Sequence, residues 1–261
     1  MKEAEEQSSN QEKSMNQNCR CDGKGFYFKK ERALKEDEDK TPMNWPTGEP
    51  MMIEISVECE CTIKKKAKRL MSISEITDEF KKKSFASFLT EGKEPIVAEM
   101  KEIATKYYVD YPNIKKERRN SISFLGQPGA GKTHLLSALA NNLITKRLQR
   151  VLYFPFIEGF NDLRDDFNAL NRKLEEMQRV DVLFIDDLFK GKCSDWEVKQ
   201  VMGVVNYRYL NNKPLMISSE HDIDKLCDID EALGTRIYEM SKDYTVMIKG
   251  DRWKLNHRLI D

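Results

Sequence analysis

The sequence has no excess of charge of either sign. Its 261 residues include 44 basic and 44 acidic side chains, so the formal net charge is zero. No global electrostatic field therefore draws the protein to nucleic acid, and any such contact must come from a local patch. The length predicts one sizeable core with an appendage, and hence two domains.

Long apolar runs are also missing. The polar start, with Lys2 and Glu3, has no apolar core of signal-peptide length, and no later run reaches the length of a membrane span. These absences predict a cytoplasmic protein with no membrane partner. In a reducing compartment, the six cysteines are expected to be thiols or metal ligands rather than disulfides.

A glycine-rich segment at residues 126–133 has the pattern of a phosphate-binding loop. An apolar run at 122–125 precedes it and an amphipathic segment follows, and this strand–loop–helix context disfavours an ordinary glycine-rich turn. Lys132 can reach the β- and γ-phosphates of ATP, and the Thr133 hydroxyl can hold Mg²⁺. The predicted nucleotide-binding residues of this segment are Gly126, Gln127, Pro128, Gly129, Ala130, Gly131, Lys132, Thr133 and His134.

Two adjacent carboxylates, Asp186 and Asp187, follow the apolar run 182–185. The carboxyl edge of a parallel sheet faces the phosphates, so one carboxylate can serve the metal while the other polarises water. We assign Asp186 to magnesium, together with Thr133, and Asp187 to the general-base role. The alternative is an Asp pair that caps a helix or a turn.

Further polar groups follow the next apolar run. Ser218 and Ser219 end it at the same predicted edge, where a side chain can sense the γ-phosphate. Arg236 follows an acidic, turn-like stretch. An arginine supplied to a neighbouring subunit's triphosphate would stabilise charge in the transition state, but a lone arginine is more often a surface or ion-pair residue.

Short apolar runs alternate with helical segments in the second half of the chain. The runs at 122–125, 151–156, 182–185 and 215–217 predict an α/β fold, with a parallel sheet covered by helices on both faces. The predicted domains are a disordered polar tail over 1–18, a cysteine module over 19–65, a helical linker and lead-in over 66–119, and an ATPase core over 120–261.

The cysteine module contains two Cys-x-Cys pairs, Cys19 with Cys21 and Cys59 with Cys61. Four thiolates in two pairs suit tetrahedral zinc, although Cys-x-x-Cys is the more usual spacing. The alternative is four unligated thiols. Bound Zn²⁺ would supply stability that so small a module cannot obtain from its own core.

Together these motifs resemble the AAA+ class of ATPases, specifically the DnaC/DnaI-type helicase loaders and the related IstB transposition helpers. The likeness extends over roughly residues 69–255, with prophage-borne loaders as the nearest relatives. Four segments carry it: the phosphate loop and first helical turn at 126–135, Ile-Asp-Asp-Leu at 185–188, the serines at 218–219, and Gly-Thr-Arg-Ile at 234–237.

The resemblance implies an AAA+ core of the ASCE P-loop type that binds ATP and Mg²⁺ and hydrolyses ATP slowly, as a switch coupled to assembly. Such proteins self-associate through the ATPase domain, so that an arginine at the position of Arg236 completes the neighbour's site. They deliver a hexameric replicative helicase onto single-stranded DNA. Their N-terminal end, often a zinc-binding module, contacts the helicase.

One departure from the family pattern is evident. Glu220 stands after the serines, where loaders usually have Asn, so the identity of the γ-phosphate sensor stays open. No full C-terminal helical lid is expected after Lys249, which agrees with a shortened loader-type ATPase.

A segment from Tyr153 to Phe167 falls where loaders and initiators carry an extra helix that contacts single-stranded DNA. Of Phe154, Phe156 and Phe160, we expect one to stack on a base, although aromatic residues at the end of a central strand are usually core.

These inferences predict an ATP-dependent helicase loader with an N-terminal zinc-bearing arm. The first alternative is an IstB-like transposition helper that binds DNA. A nucleotide or small-molecule kinase would leave Asp186, Asp187 and Arg236 unexplained. A nucleotide-gated adaptor that binds helicase without hydrolysis is a further alternative.

Overall fold

The computed structural model describes residues 19–36 and 40–259, so the predicted tail over 1–18 lies outside the described residues. The chain divides into two units, the first ending at Lys68 and the second beginning at Arg69. This boundary lies within helix α1 (Glu60–Ser72). None of the described helices is long and apolar enough to cross a membrane.

The first unit contains a two-stranded antiparallel sheet of β1 (Phe26–Arg32) and β2 (Met52–Glu58). Its register runs from Phe26 opposite Glu58 to Arg32 opposite Met52. The only buried residues that the structure describes in this unit are Cys21, Ala33 and Cys59. An isolated two-stranded sheet is marginally stable in water, so this unit needs a source of stability other than apolar burial.

The second unit is an α/β fold, as the sequence predicts. Its elements in chain order are α2 (Asp78–Lys81), α3 (Pro95–Ile114), β3 (Ile122–Gly126), α4 (Lys132–Arg147), β4 (Val151–Pro155), α5 (Phe156–Leu163), α6 (Phe167–Arg179), β5 (Val182–Asp186), α7 (Asp195–Leu210), β6 (Leu215–Ser219), α8 (Ile223–Ile229), α9 (Glu231–Ser241), a 3₁₀ turn (Lys242–Tyr244), β7 (Thr245–Ile248) and α10 (Arg252–Leu255).

Five parallel strands form its sheet in the order β4-β5-β6-β3-β7. Four of them are the predicted apolar runs, whereas the sequence pattern does not predict β7. Burial along β7 alternates, with Val246 and Ile248 buried and Thr245 and Met247 partly exposed. This strand lies at the edge of the sheet, and its short alternating pattern gives no continuous apolar run.

Both faces of the sheet are apolar because successive side chains of a strand point to opposite faces. Phe124 packs in one core cluster with residues of α3 and α4. Its neighbour Leu125 packs in the other cluster with residues of α6, α7 and α9. The sheet therefore has helices on both faces, and the carboxyl ends of its strands form one polar edge.

A fully buried arginine stabilises the other edge of the sheet, where the strands begin. Arg208, near the end of α7, has no exposed surface. Its guanidinium donates to the backbone carbonyls of Met177 at 2.8 Å, Val180 at 3.0 Å and Pro214 at 2.5 Å. These carbonyls precede β5 and β6, so this one side chain holds the connections into two central strands.

Candidate functional site

The phosphate-binding loop connects β3 to α4. Gly126 has φ 111°, and a Cβ at this position would lie 2.3 Å from the carbonyl oxygen of Ile248 in β7. Helix α4 begins at Lys132 after the N-cap residue Gly131, which provides no side-chain cap. The first N–H groups of α4 are therefore available to an anion, and the helix dipole favours negative charge there.

Lys132 lies folded over its own loop. Its Nζ donates to the carbonyl oxygens of Gly126 at 2.7 Å and Gln127 at 2.8 Å. Burial lowers the pKa of Lys132 to about 8, and the carboxylates of Asp187 and Glu220 act against this effect. The ammonium stays largely protonated at neutral pH, as a phosphate-binding group requires.

Asp186 is the hydrogen-bonding centre of the site. It is buried at the end of β5 and accepts from Thr133 Oγ1 at 2.9 Å, from Tyr153 OH at 3.1 Å and from Ser218 Oγ. Burial raises the pKa of Asp186, and the bond from Ser218 opposes that shift. The structure thus brings together the two residues assigned to magnesium, Thr133 and Asp186.

Asp187 lies beside this centre in a different environment. Its backbone is left-handed, with φ 54°, and its N–H donates to Ser218 Oγ at 2.8 Å. Its carboxylate forms an ion pair with Lys190 at 2.8 Å, and Lys190 also lies 3.2 Å from Glu220. No sequence motif predicts a role for Lys190, and its only local signal is its position three residues after Asp187.

The two serines at the end of β6 have different partners. Ser218 contacts both Asp186 and Asp187, so it lies at the candidate site. The Ser219 hydroxyl donates to the Leu188 carbonyl at 2.8 Å. Ser219 therefore holds the turn after β5, and its hydroxyl bonds among the described residues, to Leu188 and His221, do not reach the phosphate loop.

His134 faces the lead-in segment. Its ring packs edge-on against Phe88 at 5.3 Å between centroids, and its Nε2 lies 3.1 Å from Ser87 Oγ. Burial and the nearby Lys83 lower the pKa of His134. The structure therefore places His134 beside the loop, with its ring turned toward residues that precede the ATPase core.

A C-terminal segment, residues 249–259, lies against the phosphate loop. Gly129 has φ 82°, and a Cβ there would lie 1.9 Å from Asn256 Oδ1. The His257 N–H donates to the Gly129 carbonyl at 3.1 Å, and Gln127 Nε2 donates to the Gly250 carbonyl at 2.9 Å. A pocket of about 310 Å³ between loop and segment is lined by Gln127, Pro128, Arg252, Leu255 and Asn256.

Arg236 lies in helix α9, which begins after a break in the helical structure at the acidic residue Asp230. Gly234 faces α8, where a Cβ would lie 2.7 Å from the Cys227 backbone nitrogen, and this close helix packing explains the glycine. The Arg236 guanidinium donates to the Ala232 carbonyl at 3.0 Å and lies 5.5 Å from the Tyr209 ring centroid. These partners belong to α9 and α7, and neither lies in the phosphate loop.

The expectation that one of three phenylalanines stacks on DNA is wrong. Phe154, Phe156 and Phe160 are each at most 2% exposed and pack edge-on against one another. The expected extra helix is present as α5, but its rings point into the core. Phe167, at the start of α6, is 73% exposed instead.

The four predicted zinc ligands of the first unit converge. Their sulfur atoms all lie within 4.8 Å of one another, with Cys19 and Cys59 at 3.0 Å and Cys21 and Cys61 at 3.4 Å. These distances exceed a disulfide bond of about 2.05 Å. Tetrahedral zinc with Zn–S bonds of about 2.3 Å would hold its sulfurs about 3.8 Å apart, so the donor set fits zinc.

Comparisons with known proteins relate this site to one family. Residues 81–241 match the family described as the bacterial DnaA ATPase domain. A phage-like element PBSX protein, XkdC of Bacillus subtilis strain 168, is 52% identical over 212 residues, which cover 79% of this chain and 80% of that protein. The uncharacterized protein YqaM of the same strain is 54% identical over 211 residues, covering 79% and 67%.

The fold also matches a solved structure. A crystal structure of the DnaC helicase loader aligns with a TM-score of 0.55 at 23% sequence identity, and the match covers 66% of this chain and 100% of that one. At this identity the likeness concerns the fold.

Proposed function

The chain belongs to the bacterial DnaA ATPase-domain family, and from this membership we propose that it is an ATP-dependent loader of a replicative DNA helicase. In this role it delivers the hexameric helicase to single-stranded DNA during replication initiation. The observation that carries the proposal is the hydrogen bond of 2.9 Å between Thr133 and Asp186 beneath the phosphate loop. A fold shared with a helicase loader supports it further.

In the proposed ATPase cycle, Lys132 and the N-terminus of α4 bind the phosphates of ATP. Thr133 and Asp186 would hold Mg²⁺, which would neutralise charge on the phosphates. Asp187 acts as general base on a water molecule that attacks the γ-phosphorus. The bond between the γ-phosphorus and the β–γ bridging oxygen breaks, so that ADP and inorganic phosphate leave.

Self-association completes the proposed site. Arg236 is partly exposed on α9, and its contacts with Ala232 and Tyr209 leave it apart from the phosphate loop of its own chain. An arginine so placed serves a neighbouring subunit, where it stabilises charge as the γ-phosphate transfers. Hydrolysis is then slow in a single chain and coupled to assembly.

The first unit is the proposed helicase-binding arm. Cys19, Cys21, Cys59 and Cys61 would hold one Zn²⁺, which would fix the ends of the β1–β2 hairpin. The hairpin exposes Phe26 and Phe28, and exposed aromatic residues are frequent at protein–protein contacts.

A loading assay tests this function. The full chain is mixed with a hexameric replicative helicase and closed circular single-stranded DNA, and helicase retained on DNA is measured with ATP and without it. We expect ATP-dependent retention that is lost in Lys132→Ala, because this variant lacks the phosphate-binding ammonium. The proposal would be contradicted if Lys132→Ala retained as much helicase on DNA as the wild type does. It would also be contradicted if the chain associated with a transposase in place of a helicase.

A further inference from the structure

Lys190 bridges two carboxylates at the polar edge of the sheet. Its Nζ lies 2.8 Å from Asp187 Oδ2 and 3.2 Å from Glu220 Oε1. The three side chains are about one-third exposed, at 36%, 33% and 32%. They therefore lie at the mouth of the site, where a charge is partly shielded from water and acts more strongly than on an open surface.

The turn that carries Lys190 is held tightly in place. Asp187 and Phe189 both have left-handed backbone, with φ 54° and 57°, a conformation that costs free energy in residues other than glycine. The Leu188 N–H donates to the Ser218 carbonyl at 2.8 Å, and the His221 ring lies 2.9 Å from the Phe189 carbonyl. Non-glycine residues in this conformation persist where their surroundings enforce them, and here the end of β6 does so.

Lys190 shares an electrostatic environment with the phosphate-binding lysine. Burial is the main influence on the pKa of Lys132. Asp187 and Glu220 then raise this pKa, whereas Lys190 lowers it. The contacts agree with this, because Asp187, the partner of Lys190, donates its N–H to Ser218 Oγ, and Ser218 bonds Asp186 at the carboxyl edge of the sheet.

Charge balance gives Lys190 a function. Glu220 and Asp187 place two negative charges beside a loop that binds phosphates, and an unpaired carboxylate there would repel a triphosphate. The Lys190 ammonium neutralises one of these charges. It is also a flexible cation with three donors, which suits a phosphate oxygen.

We propose that Lys190 binds the terminal phosphate of the nucleoside triphosphate and that Glu220 holds the Lys190 ammonium in position for it. When the terminal phosphate takes the ammonium, Asp187 loses its ion pair and becomes free to act on water. A diphosphate lacks that group and leaves Asp187 paired with Lys190. The inference rests on the proposed function, because it requires a nucleotide at the loop.

Equilibrium binding to the full chain with Mg²⁺ tests this inference. Affinities for ADP and for a non-hydrolysable ATP analogue are measured by titration calorimetry for the wild type, Lys190→Met and Lys190→Arg. We expect Lys190→Met to bind the ATP analogue about tenfold more weakly, the equivalent of one charge-assisted hydrogen bond. Its affinity for ADP should change less than about twofold, and Lys190→Arg should keep the preference for triphosphate.

A second variant tests the role of Glu220. Adding Glu220→Gln to Lys190→Met removes one of the two carboxylates left without their cation, so affinity for the ATP analogue should partly recover. Lys192→Met is the matched control, because Lys192 is an exposed lysine two residues away and has no ion pair among the described residues. This control should bind both nucleotides as the wild type does.

Failure of this inference differs from failure of the proposed function. If the wild type binds neither nucleotide, the proposed function is wrong. If the wild type binds both nucleotides and Lys190→Met leaves the ratio of the two affinities unchanged, Lys190 does not bind the terminal phosphate. Thermal unfolding of each variant checks its fold, and Lys190→Gln replaces Lys190→Met, with the same expected ratio, if the methionine variant is unfolded.

Discussion

Arg208 is a buried cation, and its hydrogen bonds within the described part of the chain all go to backbone carbonyls. Backbone carbonyls in the connections that lead into β5 and β6 solvate the charge. They replace the water that burial removes. Burial lowers the pKa of Arg208 to about 9. The rigid fork of a guanidinium can donate to several carbonyls in one plane, which the ammonium of a lysine cannot reproduce.

Replacing Arg208 should destabilise the ATPase unit strongly. Arg208→Met leaves several buried carbonyls without donors, and we expect a loss of about 3 kcal/mol or more in the free energy of unfolding. Urea unfolding followed by circular dichroism measures it. The control is Arg150→Met, which removes a surface ion pair with Asp181 and should cost less than about 1 kcal/mol. Equal losses in the two variants would contradict this account of Arg208.

Individual site residues differ in how far the sequence predicts them. The loop at 126–133 and Asp186 belong to contiguous motifs, so the strand–loop–helix pattern is sufficient to place Thr133 beside Asp186 at one edge. Lys190 was missed because its importance comes from Glu220, which follows a different strand. Such a pair becomes visible only when the order of β5 and β6 in the sheet is known.

At the scale of elements, the β1–β2 hairpin depends on its cysteine cluster. The described residues of the first unit bury only Cys21, Ala33 and Cys59, and hairpins with so little core are marginal. Two sulfurs precede β1 and two follow β2, so one metal ion would clamp the open end of the hairpin.

Metal removal should therefore unfold the first unit and spare the second. Elemental analysis should give one zinc per purified chain, and a chelator or Cys59→Ser should increase hydrogen exchange within 26–32 and 52–58. Exchange in the sheet of the second unit should stay unchanged. Cys193→Ser is the matched control, since Cys193 lies outside the cluster. Full protection of the hairpin without metal would contradict the zinc assignment.

The elements also show where periodicity misleads. The α/β fold is predicted from continuous apolar strands, and the structure confirms it. The edge strand β7 was missed because only alternate residues are buried. One phenylalanine of the segment 154–160 was expected to stack on a DNA base. The sequence does not reveal that α5 turns Phe156 and Phe160 toward the core.

At the scale of the whole molecule, replacement of Arg236 should separate the binding of ATP from its hydrolysis. The Arg236 side chain contacts α7 and α9 instead of its own phosphate loop, so Arg236→Ala should leave the affinity for ATP within about twofold of the wild type. Turnover that rises with protein concentration should fall by about tenfold or more, since a transition-state arginine is worth at least that much. Arg172→Ala, at an exposed position on α6, is the control.

The measurement is the ATPase rate as a function of protein concentration, with affinity determined separately. Mixing Arg236→Ala with Lys132→Ala should restore part of the activity, because each chain supplies what its neighbour lacks. Loss of ATP binding in Arg236→Ala, or no recovery on mixing, would contradict a contribution between subunits.

Contact between residues 249–259 and the phosphate loop makes the two mutually dependent. Asn256 occupies the space that a side chain at position 129 would need, and the His257 N–H is bonded to the Gly129 carbonyl. Any ligand that favours one arrangement of the loop must shift the docking equilibrium of this segment. Whatever holds the segment must change the affinity for that ligand by the same factor, because coupling between two sites is reciprocal. The docking of residues 249–259 can thus report whether the phosphate loop is occupied. A contact that changes this docking can in turn change the affinity of the loop for its ligand.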